Sequence, residues 1–447
     1  MADWKVLGDE AVEITREYLR IDTTNPPGNE RPAADLLGKI LEDAGLEPTI
    51  IESEPGRANL VARLPGRAGV RGVPEDPRKG LTLLHHLDVV PAESSEWSVD
   101  PFGAEIRDGC LWGRGAIDMK SVGVMQLMAV LTLARERTPL ERDVVYVAVA
   151  DEEAGGLMGA AFLTGQHPDL VACSDVINEG GYGLAESKPP VMACALSEKA
   201  LLWVRLIARG TPGHGSMPPD DQAIGKLLAA LSDLAAHPPA LHISPLVERT
   251  FRAMAAHSGP ARRRLIEGLL RPQARPLLPR LARRMPRHQR ALLGDVISIT
   301  RITSGYKENV VPGTAEATLD CRLLPETDPE EFFSSLTARM AGHGVATEIA
   351  FSDGPHGTSE GPLLALLEEV CSGAFPEAAF APVLCPAFTD SRYFRQLGAD
   401  AYGLVPVMLR NDELATFHGI DERIPLEGLR RGCEVMYEIV GRACAAR

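Results

Sequence analysis

The sequence predicts an α/β protein with a mixed, mostly parallel sheet flanked by helices and a small two-layer α+β domain inserted into it. Three observations support this. Short apolar runs alternate with helical stretches through residues 1–198. Strands with one exposed face take over in residues 199–355, and α/β character returns in residues 356–447. A chain of 447 residues exceeds one compact core, and a prior of roughly 150 residues per domain gives two or three domains.

The elements follow in order. Residues 9–20 have helical spacing, with Val12, Ile14 and Leu19 on roughly one side, and Asn25-Pro26-Pro27-Gly28 ends that helix as a turn. A second helix spans residues 31–44 and stops at Gly45. Residues 81–84 form a short apolar strand, and 119–135 a long apolar helix. The run 144–149 is continuously apolar, as in a strand buried on both faces. Another helix holds Ala160, Phe162 and Leu163, and Val176-Ile177 begins a further strand. This alternation argues for parallel pairing.

From Lys199 the pattern changes. Strands are expected at 200–209, 296–302, 315–322 and 346–351, with helices at 221–235 and 329–341. That β-α-β-β-α-β order suits a two-layer domain. A helix at 362–370 and a strand at 401–405 resume the larger sheet. An excursion near 240–293 carries ten arginines and one acid, Glu267, between Arg262 and Arg290. It reads either as helices with solvated cationic faces or as a surface for an acidic partner, a subunit or lipid headgroups. Pro272, Pro276, Pro279 and Pro286 cut it into short helices.

Composition narrows the function. The net charge, 46 − 61 = −15, argues against general nucleic-acid binding. Eight cysteines are scattered without a CxxC, which disfavours a cysteine zinc site and suits a reducing compartment. No signal-peptide pattern opens the chain and no run of about 18 apolar residues spans a membrane, so a cytoplasmic location is expected.

The chemistry gathers at strand ends. His85-His86-Leu87-Asp88, Asp151-Glu152-Glu153, Asn178-Glu179 and Phe417-His418 each follow an apolar run, where open α/β sheets bind ligands. His86 and Asp88 lie two apart, so a carboxylate could orient the imidazole; alone, they also read as a core histidine beside a turn aspartate. Asp118, before the long helix, reads as an N-cap or as a carboxylate shared by two metals. Three consecutive acids at the end of a buried strand repel one another unless a cation compensates. His86, Asp118, Glu153, Glu179 and His418 offer two imidazoles and three carboxylates, a mixture that suits zinc, with cobalt or manganese as substitutes.

With these motifs, the chain resembles the M20 family of metallopeptidases, which includes aminoacylases, desuccinylases and glutamate carboxypeptidases. The matching stretches are Asn25–Gly28, His86–Pro91, Gly113–Lys120, Asp151–Gly156, Asn178–Gly181, Gly213-His214-Gly215-Ser216, Asn309–Gly313 and His418-Gly419. The resemblance implies a zinc-peptidase-like catalytic domain with a lid or dimerisation domain. It also implies two divalent metal ions and hydrolysis of a peptide or N-acyl amide beside a free carboxylate. Asp118 would bridge the metals, with His86 and Glu179 on one and Glu153 and His418 on the other. Glu152 would be the general base and Asp88 would orient His86. The peptide after Asp118 would be cis. His214 would reach the active site of a second copy in a homodimer, and Asn309 and Arg322 would contact the substrate's carboxylate and oxyanion. The chain departs from the pattern at His85, where relatives often have glycine, at Gln222, where asparagine is common, and at 386–392, which lacks a Gly-Gly pair. Other readings are an N-carbamoyl amino acid amidohydrolase, a metal-free binding relative, and an interaction protein acting through the arginine-rich stretch.

Overall fold

The computed structural model describes residues 3–66, 80–285, 290–353 and 359–445. Pro286 and the expected domain boundary at 355/356 lie outside the described residues. The strands, in chain order, are β1 (Thr49–Glu54), β2 (Arg57–Leu64), β3 (Leu81–His86), β4 (Glu105–Arg107), β5 (Cys110–Trp112), β6 (Val144–Val149), β7 (Asp175–Leu184), β8 (Val191–Glu198), β9 (Ala200–Arg209), β10 (Gly213–His214), β11 (Val296–Ser304), β12 (Val310–Val311), β13 (Thr314–Leu323), β14 (Val345–Ser352), β15 (Ala379–Cys385), β16 (Asp400–Leu409) and β17 (Arg423–Pro425).

Eight of them form the large sheet, ordered β1-β2-β6-β3-β7-β16-β8-β15. β6, β3, β7 and β16 run parallel to one another, and β15 runs parallel to β8, whereas the β1–β2 hairpin joins β6 antiparallel and β8 joins β16 antiparallel. The expected α/β sheet is therefore present, extended by strands β1, β2, β8 and β15 that the sequence patterns did not single out. β6 and β3 are buried at every position, as parallel strands covered on both faces should be.

Helix Lys120–Glu136 is apolar nearly all round, and its first fourteen residues are buried. It lies on one face of the sheet with helices Trp4–Leu19 and Leu426–Cys444. On the other face, Ala160–Gln166 and Ser391–Gln396 pack over Val145, Val147 and Val176. A second core sits on the four-stranded antiparallel sheet β11-β13-β9-β14, backed by helices Ala223–Ala236 and Pro329–Ala341. The predicted β-α-β-β-α-β order is the observed one, with the arginine-rich excursion threaded between its first helix and β11. One difference concerns β7, which continues past Ile177 to Leu184. Glu179 thus sits inside a strand, just before Gly180, whose φ of 109° turns the chain where only glycine is relaxed.

His85, the larger residue at an expected glycine position, is fully buried between Tyr18 and Tyr146, and burial pushes its pKa down to about 3. Gly123, on the helix above, supplies its space: a Cβ there would lie 2.3 Å from the imidazole. Gly123→Ala should gain about 1 kcal/mol of helix propensity yet destabilise by about 1–3 kcal/mol net, because an enclosed ring cannot retreat. A urea midpoint at or above that of the parent chain would show instead that the ring has room to move.

Candidate metal centre

β6, β3 and β7 are adjacent and parallel, so their carboxyl ends open on one edge of the sheet. β3 ends at His86 and β6 runs into Asp151–Glu153, while Glu179 comes from within β7. Asp118 comes from the loop after β5 and His418 from the loop before β17. Asp118 stands between the imidazoles: its Oδ1 is 3.1 Å from His86 Nε2 and its Oδ2 is 2.8 Å from His418 Nε2. Glu179 Oε1 lies 3.8 Å from His86 Nε2, and Glu153 Oε2 lies 3.3 Å from His418 Nε2. Glu152 has an oxygen within 4.8 Å of ligand atoms of both His86 and Glu179. Asp118 does not act as the N-cap of the next helix, because that place belongs to Met119 and carries no side-chain cap. The Asp118–Met119 peptide is cis.

Four carboxylates and two imidazoles in so small a volume perturb one another. Burial pushes the Glu152 and Glu179 carboxyls well above their usual range, and mutual repulsion adds to it. Glu153 is raised in the same way. Burial alone would lower His86, but its bonds to Asp118 and Asp88 outweigh that and hold it well above the ordinary value. Bonds to Asp118 and Glu153 push His418 up to about 10. Glu153 Oε1 is buried with no hydrogen-bond partner. A buried carboxylate oxygen without a donor is costly. The hard oxygen and imidazole donors converging here are those a divalent cation takes. The residues therefore fit a metal. The His418 side chain remains 49% exposed, against 1% for His86, so the centre opens to solvent on its His418 side.

A frame of further polar residues holds these groups. Asp88 accepts the backbone N–H groups of Glu152 and Glu153 at 3.1 and 3.2 Å and an N–H of Asn25 at 2.8 Å. Its own backbone carbonyl is the nearer partner of His86 Nδ1, at 2.9 Å against 3.5 Å for its carboxylate. Glu422 accepts the backbone N–H groups of Gly115, Ile117 and Asp118 and one guanidinium N–H of Arg114. Arg114 also donates to the Gly419 carbonyl at 2.8 Å, tying the Asp118 and His418 loops together. Asp151, at a left-handed φ of 73°, is held by Arg57, Asn25 and the Met158 N–H. Sequence reasoning missed Glu422, Arg114, Asn25 and Arg57 as site residues. Only the acid four positions after His418 and the Asn-Pro-Pro-Gly turn hinted at two of them.

Three predicted residues stand outside this cluster. His214 is exposed on β10 and contacts the Ser216 hydroxyl at 2.8 Å. β10 pairs with β12, and the Asn309 carbonyl accepts the Gly215 N–H, so His214 and exposed Asn309 share one surface. Arg322, on β13, pairs with Asp320 at 2.8 Å and lies 5.3 Å over the Phe388 ring.

The profile of peptidase family M20/M25/M40 matches residues 82–442. The chain is 29% identical to aminoacylase-1 of Sus scrofa over 448 residues, covering 96% of this chain and 94% of that protein. It is 28% identical to the N-fatty-acyl-amino acid synthase/hydrolase PM20D1 of Mus musculus over 409 residues, covering 89% and 80%. Among solved structures, an M20 family metallo-carboxypeptidase, Sso-CP2 from Sulfolobus solfataricus, superposes with a TM-score of 0.69 at 20% identity, covering 96% of this chain and 98% of that one. This match extends the shared fold to nearly the whole chain. With its fold, its clustered His, Asp and Glu side chains and this match in place, the chain belongs to peptidase family M20/M25/M40 and is a hydrolytic enzyme.

Proposed function

We propose that the chain hydrolyses the amide bond of N-acyl amino acids, or of short peptides, next to a free carboxylate. The observation that carries this reading is Asp118, which offers one oxygen toward each of two imidazoles among three further carboxylates. Residues of that cluster would hold two divalent cations, with zinc our first assignment and cobalt or manganese as substitutes: His86 and Glu179 on one, Glu153 and His418 on the other, Asp118 between them. When bound, the cations supply Lewis acidity that polarises the scissile carbonyl and acidifies a water. Glu152, buried in the same cluster, takes the water's proton and returns it to the leaving nitrogen. Asp88 acts as a positioning residue, fixing the turn that presents Glu152 and Glu153.

His214 is exposed and outside the cluster, which supports its assignment to the active site of a second copy in a homodimer, where its N–H stabilises the developing oxyanion. Asn309 and Arg322 are assigned to the substrate's carboxylate and oxyanion; a guanidinium can bind a carboxylate bidentately. We further divide the chain into a catalytic domain, 1–198 and 356–447, and an inserted domain, 199–355. Among the described residues no helix is long and apolar enough to cross a membrane. The eight cysteines are free and buried, which supports a reducing, cytoplasmic location.

Zinc-reconstituted protein should release the amino acid from N-acetyl and longer N-acyl amino acids; turnover of N-carbamoyl amino acids alone would replace this reading with a ureido-directed one. Glu152→Gln should keep its metal content but lose about 10²–10⁴-fold in kcat, and His214→Ala should be similarly slow. Mixing these two inactive proteins should restore about a quarter of the parent activity, because half the reassorted dimers carry one complete site. No recovery after subunit exchange would remove His214 from a shared site.

Metal binding competes with protons here. Metal-free, the cluster's glutamates and its two imidazoles bind more protons in the folded chain than in the unfolded one between about pH 4.5, where ordinary glutamate titrates, and about 10, where His418 does. Raised carboxyls and raised imidazoles act in the same direction, so the cluster's contribution to metal-free stability falls as pH rises through that window. The gap in Tm between zinc-loaded and EDTA-treated protein should therefore widen from pH 5.5 to 8.5. A gap that stays constant would contradict the ligand set.

A further inference from the structure

The arginine-rich excursion has a hollow that the hydrolytic reading does not use. Helix Pro245–Ala256 lies along β15, the outer strand of the large sheet, where Thr250 donates to the Pro382 carbonyl. Its opposite side, with Phe251, faces helices Pro260–Leu269 and Leu278–Ala282. Between them is a cavity of about 250 Å³ walled by Phe251, Ile266, Leu270, Leu278, Leu281 and Met285. Among the described residues, Arg275 and Arg284 are the only charged ones on its lining. Both are exposed, and among the described residues neither has a carboxylate partner. The single acid of the stretch, Glu267, is taken by Arg263 at 2.8 Å.

A core of leucines normally closes on itself, since a void forfeits the dispersion contacts of its lining. Here an apolar hollow persists with two exposed arginines on its lining, neither paired with a carboxylate among the described residues. Apolar walls with a few placed polar groups are the usual form of a small-molecule site. The apolar side chains converge inward, and Pro272, Pro276 and Pro279 keep the helices short, so the segment lacks the continuous outward apolar face that lying on a bilayer requires.

We propose that this hollow binds a single long alkyl chain carrying a carboxylate head: the chain lies among the leucines and the head pairs with Arg275 and Arg284. The inference rests on the excursion alone and stands or falls separately from the hydrolytic reading.

The test is calorimetric titration of zinc-loaded full-length protein with sodium dodecanoate below its micellar concentration. One saturable equivalent per chain is expected. The double variant Arg275→Glu/Arg284→Glu should weaken dodecanoate by about tenfold or more while leaving 1-dodecanol binding unchanged. Ala274→Trp, which fills the hollow from its wall, should abolish both. Hydrolysis of an N-acetyl amino acid by each variant should match the parent, which also reports that it folds. Absence of saturable binding would overturn the proposal. So would dodecanoate affinity that survives the charge reversal, or uptake of phosphatidylglycerol vesicles without uptake of monomeric dodecanoate. If Ala274→Trp fails to fold, the charge-reversal pair decides alone.

Discussion

Asp118, set between His86 and His418, is the contact on which the rest of the structure depends. Around it Glu152, Glu153 and Glu179 crowd into space that burial has stripped of water. Like charges at such distances cannot all ionise without compensation, and protons and imidazolium groups supply it only in part. One oxygen of Glu153 remains without a donor. The cluster therefore carries electrostatic strain of the kind that a bound cation would relieve.

Holding that arrangement requires a frame stiff enough to resist its own repulsion. The parallel strands β3, β6 and β7 bring His86, Glu152, Glu153 and Glu179 to one sheet edge, and helix Lys120–Glu136, buried over its first fourteen residues, follows Asp118. The remaining adjustment is made by backbone amides. Asp88 gathers those of Glu152 and Glu153, and Glu422 gathers those of the Asp118 loop. Arg114 then joins that loop to the one bearing His418. Buried carboxylates with several donors are rigid clamps, because moving them leaves charge unsolvated.

The rest of the chain is organised around access. The centre opens past His418, whose side chain is half exposed. The four-stranded sheet carries Arg322 against Phe388, in the segment leading to helix Ser391–Gln396, and Asp390 of that segment repels the Glu152 and Glu179 carboxylates. The excursion instead covers the outer strand β15 and builds a separate apolar interior beneath a cationic surface. A domain of this kind can vary its surface while the metal frame stays fixed.

The sequence by itself determined the fold class, the β-α-β-β-α-β order of the inserted sheet and the five metal-type side chains, because each is written locally: apolar runs and helical spacing set the elements, and acids beside glycines mark strand ends. The hairpin of β1 and β2 was not legible because its mixed runs lack a clean period, and β8 and β15 were not because short apolar runs do not by themselves tell strand from buried helix. Only the tertiary structure decided which partners hold these side chains. Glu422 reaches Asp118 across some three hundred residues, and Asp88 serves the Glu152 turn more than the ring of His86. Asp118, equally readable as a helix cap, became the shared carboxylate once a second imidazole arrived from the far end of the chain. Likewise, the arginine-rich composition gave no hint of the hollow lined by Arg275 and Arg284, because a cavity is a property of how helices fail to close and not of any one segment.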